Sequence, residues 1–119
     1  MPKSATKNQD NAHLHDMLEA ARLIRIYLRK VSFDEFWHDN EKRDAVALRL
    51  SIIGEAASHV SPSAQKALAS IPFKQIRGLR NRIAHDYGAI DFRIVWNVTQ
   101  KEIEPLIIAL EGYLGKKPR

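Results

Sequence analysis

Between Leu79 and Gly88 this chain places Arg80, Asn81, Arg82, His85 and Tyr87 within a few residues of one another. These residue types suit chemistry on a phosphate. An arginine holds a phosphate group and offsets the charge that develops as it reacts. A histidine, with an ordinary pKa near about 6.5, moves protons at neutral pH, an effect typically worth about 10²–10⁴-fold in rate. The chain has no cysteine, and the segment lies beside no paired carboxylates and no glycine-rich phosphate loop. The metal-free reaction that remains natural for an Arg and a His is attack of an RNA 2′-hydroxyl on the adjacent phosphate. Concerted cleavage needs both a base and an acid, whereas the segment supplies one histidine. A two-fold dimer that brings two Arg80/His85 sets into one cleft supplies both.

A helix has to position these groups. At about 100° per residue, Ile76, Leu79, Ile83 and Tyr87 form an apolar stripe that faces a core. Arg77, Asn81 and His85 follow a second line, which puts His85 away from that core. Arg80 falls at the edge of the stripe, where its stem can cover apolar surface. Asn81, one turn before His85, is placed to orient the imidazole. Arg82 reads as a solvated cation, and with Arg77 and Arg80 it gives the surface beside His85 the footprint of a phosphate- or RNA-binding face. Tyr87 has two readings: on an unbroken helix it joins the core, but if Gly88 ends the helix its hydroxyl reaches the mouth of the cleft. The motif helix is expected from about Phe73 to Asp86, after the break at Ser70-Ile71-Pro72, with Gly88 as a left-handed stop.

The remaining elements are also helical. Residues 1–9 are polar and aperiodic and read as a disordered tail, followed by one helical domain over residues 10–115 and a basic tail over residues 116–119. Asp10 or Asn11 caps a first helix to about Lys30, with Leu14, Met17 or Leu18, Ala21, Ile24 or Leu23, and Leu28 inward. His13 and His15 project to nearly opposite sides and make a poor metal pair. Ser32 and Glu35 form a capping box. Asp39 or Asn40 opens a long helix to about Val60, with a stripe at Ala45, Leu48, Ile52, Glu55 or Ala56, and His59.

Within that helix Gly54 costs about 1 kcal/mol relative to alanine, so it is expected to permit close helix packing. Glu55, near the apolar side, needs a donor, and an arginine of the motif helix is a natural one. Ser61-Pro62 opens a short helix. Asp91 caps a last helix to about Leu114, which Pro105 bends or interrupts and which carries Trp96, Ile103, Leu106, Ile107, Leu110 and Leu114 inward. The fold class is all-α, an antiparallel bundle of four main helices with one or two short ones.

Arg80-Asn81-Arg82-Ile83-Ala84-His85-Asp86-Tyr87 resembles the R-N-x-x-x-H-x-Y signature of HepT-like proteins of the HEPN class. The likeness extends from about residue 12 to Leu114 and takes in Phe36, Ile53-Gly54-Glu55-Ala56, Ser61-Pro62 and Asp91 with Trp96. Phe73 stands where family members often have Trp, and Glu104-Pro105 where they often have Leu-Pro. Both are remote from the motif. The resemblance implies a homodimeric, metal-independent endoribonuclease with Arg80 and His85 catalytic and no cofactor. It implies the toxin of a toxin-antitoxin pair, silenced when a partner nucleotidyltransferase antitoxin attaches AMP to Tyr87. Bulky negative charge there neutralises the site. The competing reading is a non-catalytic module that binds nucleotide or completes a separate nucleotidyltransferase, which has no need of both Arg80 and His85. A DNA-binding regulator is disfavoured, since no helix-turn-helix pattern is present.

Composition agrees with these limits. The chain has 119 residues, 45% of them hydrophobic, which suits one globular domain. The net charge of +5 favours a polyanionic partner. Without a run of the ~20 apolar residues that a membrane span needs, and without a signal-peptide pattern, the expected compartment is the cytoplasm.

Overall fold

The computed structural model describes residues 3–115, with side chains from Thr6 onward. Its elements are α1 (Lys3–Tyr27), α2 (Phe33–Trp37), α3 (Asn40–Ser58), α4 (Pro62–Ala67), α5 (Phe73–His85), a 3-10 turn (Tyr87–Ala89), α6 (Phe92–Lys101) and α7 (Ile103–Leu114). Among the described residues there is no strand, and the all-α expectation holds. The long helices lie in the order α5, α3, α1, α7, with α3 packed between α1 and α5. Phe36 of α2, Leu14, Met17 and Ile24 of α1, Val46 and Ile53 of α3, Val95 of α6 and Ile107 and Leu110 of α7 are almost fully buried and form the core. Each such side chain contributes about 1.5–3 kcal/mol by leaving water. No described helix is long and apolar enough to cross a membrane.

Several helix starts follow local chemistry. Ser32 accepts from Glu35 N while Glu35 accepts from Ser32 N, the reciprocal capping box, and this bond to Ser32 holds the Glu35 carboxyl below its usual range. Asp39, Ser61 and Asp91 cap α3, α4 and α6. The last expected helix is two helices, broken at Glu102, three residues before Pro105. Proline has no N–H to return to the carbonyl four residues back, which here belongs to Lys101.

Other expectations need correction. The stretch read as a polar tail is helical from Lys3; residues 1–2 and the expected basic tail 116–119 lie outside the described residues. Asp10 does not cap α1. It sits within the helix, 5% exposed, and its carboxylate accepts from Ser61 N at 2.8 Å and Ser61 Oγ at 2.6 Å. A buried carboxylate needs such donors, and the pair ties α1 to the start of α4. Asp10→Ala is therefore expected to lower unfolding free energy by about 1.5 kcal/mol, measured by urea titration.

The stripe of α3 also has a different phase. Val46, Ala47, Leu50, Ile53, Gly54, Ala56 and Ala57 are buried, whereas Leu48 is 55% exposed and His59 and Glu55 face solvent. A helix held between two neighbours buries two flanks, so a one-sided stripe does not describe it. Finally, Gly88 is no left-handed stop. Among the described residues positive φ occurs at Lys30 and Gly115, and Gly115 terminates α7. The motif helix ends at His85, with Asp86 at φ −148° leading into the 3-10 turn.

Candidate active site

The motif helix α5 packs on α3, with Phe73 and Ile83 buried and Ile76 and Leu79 partly so. The two helices approach each other closely at Gly54. A Cβ placed there meets Arg80 Cβ at 2.2 Å, Arg80 Cγ at 2.8 Å and the Ile76 carbonyl oxygen at 3.2 Å. The glycine lets the Arg80 stem lie directly on the α3 backbone.

From that contact the guanidinium runs out to the solvent edge and is held at both ends. Nη2 pairs with Glu55 Oε2 at 2.8 Å, and Nη1 donates to Asn81 Oδ1 at 3.1 Å. Nε is buried and has no hydrogen-bond partner. Since each terminal nitrogen carries two N–H groups, one on each remains available to a phosphate. Arg80 and His85 leave α5 about 140° apart, and Asn81, which accepts from the guanidinium, lies between them in angle on the helix. Asn81 thus has its oxygen on Arg80. The ion pair is half-exposed and contributes at most about 1 kcal/mol to stability, so its interest lies in orientation.

His85 is the last residue of α5 and is exposed, as its position opposite the stripe predicts. Arg77 is half-buried on α5. Arg82 is exposed and lines a groove of about 740 Å³ between α5 and the α6–α7 arm, with Leu79, Ile94, Val98 and Leu106 along its apolar walls. Ile94 is 44% exposed there.

Tyr87 lies beyond the helix, in the 3-10 turn, and is 39% exposed. Its hydroxyl donates to Asp44 Oδ1, and its ring meets Phe92 edge-on at 5.8 Å. Arg43 stands over the same Phe92 ring, 4.9 Å from its centroid. Burial, then the hydrogen bond and negative charge of Asp44, push the Tyr87 hydroxyl up to about 12, against an opposing pull from Arg43. A phenol with a folded pKa above its unfolded value of 10.0 stabilises the fold fully below about pH 10, and that contribution is lost as pH rises towards 12. Wild type is therefore expected to lose unfolding free energy between pH 10 and 12 more steeply than Tyr87→Phe. A phenolate absorbance step near pH 12 should vanish in the variant.

Sequence reasoning did not single out Asp44 and Arg43 as partners of the Tyr87 turn, and nothing local marks them: Asp44 is 43 residues from Tyr87. It also placed His59 in the apolar stripe of the long helix and not beside Glu55. That ring stacks on His13, centroids 5.0 Å apart, and its Nε2 lies 3.1 Å from Glu55 Oε1. The four-residue spacing of Glu55 and His59 on one helix was the available signal.

The family model for ribonuclease HepT-like proteins matches residues 17–112 of this chain. A Methanocaldococcus jannaschii protein, named as an RNase by inference, is 30% identical over 98 residues, covering 82% of this chain and 90% of that protein. A Thermococcus cleftensis protein, named by inference as ribonuclease HepT, is 29% identical over 100 residues, 84% of this chain and 91% of that protein. A second M. jannaschii protein with an RNase name is 31% identical over 119 residues, 94% and 95% of the two chains. No solved structure gives a significant match.

Proposed function

The chain belongs to the ribonuclease HepT-like family, and from that premise we propose that it is a metal-independent endoribonuclease in which Arg80 and His85 act on the scissile phosphate. The observation that carries this reading is the Arg80 guanidinium, held by Glu55 and Asn81 at the solvent edge of the helix that ends in the exposed His85. The free N–H groups of Arg80 bind the phosphate and offset its growing charge. His85 takes the proton from the 2′-hydroxyl, which attacks phosphorus and expels the 5′-oxygen. This leaves a cyclic phosphate on one fragment. A second copy supplies the histidine that protonates the leaving oxygen, which gives the dimer a chemical purpose. The apolar groove along α5 supports that part of the reading, because it leaves one flank of the motif helix open to a partner. Arg77 and Arg82 extend the contact with RNA phosphates.

The protein acts, on this reading, as a cytoplasmic toxin whose antitoxin is a nucleotidyltransferase that adds AMP to Tyr87. The exposure of Tyr87 and its place two residues past His85 support this. A bulky anion there excludes RNA from the neighbouring cations. The test combines intact mass, sedimentation and RNA cleavage in EDTA. Unmodified dimer that yields fragments with cyclic phosphate ends is the expected result. An AMP-sized addition at Tyr87 on inactive protein supports the silencing step. Unmodified dimer that leaves several RNA classes intact sinks the ribonuclease reading in favour of a non-catalytic module.

A further inference from the structure

Glu55 lies beside the proposed site, yet it neither binds the core nor stands free in solvent. Its two oxygens are divided between two helices. Oε2 accepts from Arg80 Nη2 of α5 at 2.8 Å. Oε1 meets His59 Nε2 at 3.1 Å, at the C-terminal cap of α3. Because a carboxylate only accepts, this contact needs the proton on Nε2. His59 in turn stacks on His13 of α1. A line of side chains therefore runs from α1 over the end of α3 to the guanidinium, and Asn81 closes it on the far side.

We propose that Glu55 is a positioning residue for Arg80: braced by His59, it fixes the guanidinium in the orientation that receives the scissile phosphate. A long arginine has several rotatable bonds, and an unbraced one loses rotamer entropy each time it closes on a phosphate. Here the stem is pinned on Gly54, Nη1 by Asn81 and Nη2 by Glu55, so most of that ordering is complete before RNA arrives. The brace acts on geometry and not on the net supply of charge, since it neutralises part of the cation it holds. The opposite role, in which Glu55 competes with RNA phosphate for Arg80, predicts the reverse kinetics.

The inference rests on the ribonuclease reading above, and the experiment separates the two. Initial rates of RNA cleavage are measured for wild type, Arg80→Ala, Glu55→Ala, Glu55→Gln and His59→Ala, with kcat and KM resolved. Glu55→Ala should lower kcat by on the order of 10- to 100-fold, with KM changed by less than about twofold, as misorientation of a reacting group does. Glu55→Gln should recover most of the loss, because its amide oxygen still accepts from the guanidinium. His59→Ala should fall between wild type and Glu55→Ala. Unfolding midpoints should stay together, since the pair is half-exposed. Equal kcat in wild type and Glu55→Ala, with Arg80→Ala inactive, overturns the positioning role alone. A lower KM with undiminished kcat in Glu55→Ala also overturns it and makes Glu55 a competitor of the phosphate. Wild type that leaves RNA intact overturns the ribonuclease reading and this inference together.

Discussion

His85→Ala is expected to lower the rate of RNA cleavage by about 10²–10⁴-fold while leaving stability close to wild type. The residue is exposed and ends α5, so truncating its ring removes little packing. On the proposed mechanism, what disappears is the group that accepts the 2′-hydroxyl proton and, from the second copy, the group that protonates the leaving oxygen. Arg80→Ala should be comparably impaired for a different reason: the phosphate loses its charged donors. Arg80→Lys should recover only part, because an ammonium cannot bridge Glu55 and Asn81 and still present two N–H groups. If both residues serve one transition state, the double variant should be little slower than either single variant. Initial rates in EDTA, paired with urea unfolding of each protein, provide the check. Near-wild-type cleavage by folded His85→Ala sinks the catalytic role of this histidine.

The second large effect is expected at Gly54. Alanine is ordinarily favoured over glycine in a helix interior by about 1 kcal/mol, so Gly54→Ala would stabilise an open position. Here the new methyl arrives 2.2 Å from Arg80 Cβ and 3.2 Å from the Ile76 carbonyl oxygen. Neither obstacle is the loose end of a side chain. Both are fixed to the α5 backbone, so α3 and α5 must separate. Overpacking of this kind typically costs about 1–3 kcal/mol, which exceeds the propensity gain at most of that range. Moving α5 also shifts Arg80 off Glu55, so cleavage should fall even where the variant remains folded. Gly112→Ala in α7, whose Cβ position is open, is the matched control and should be neutral or slightly stabilising. If Gly54→Ala proved as stable and active as that control, the close α3–α5 contact would not hold in solution.

The contact between Gly54 and Arg80 marks how far the chain can be read in one dimension. The all-α class, the capping box at Ser32, the caps at Asp39, Ser61 and Asp91, and the interruption by Pro105 all follow from residues within one helical turn of one another. The outward direction of His85 follows from its spacing against Ile76, Leu79 and Ile83. Glu55 does pair with an arginine of α5, but from the solvent edge and not from the apolar side on which the expectation placed it. Other features resisted. Asp10 looked like a helix cap until its partner, Ser61, lay across the bundle. Gly88 looked like a left-handed stop, but the Asp86–Ala89 turn closes its own hydrogen bond, Ala89 N to Asp86 O at 3.0 Å, and needs no positive φ.

By itself the sequence determined the helices, most of their ends, and the presence of Arg80, Asn81 and His85 on one of them. These depend on backbone hydrogen bonds and side-chain spacing within a few residues. The tertiary structure alone decided that α3 buries two flanks, that the Arg80 stem rests on Gly54, that His59 and His13 stand behind Glu55, and that the Tyr87 hydroxyl donates a hydrogen bond to Asp44. Each of these depends on which helices meet and how closely. That is set by the simultaneous packing of distant side chains, for which no local pattern in the chain carries the distance.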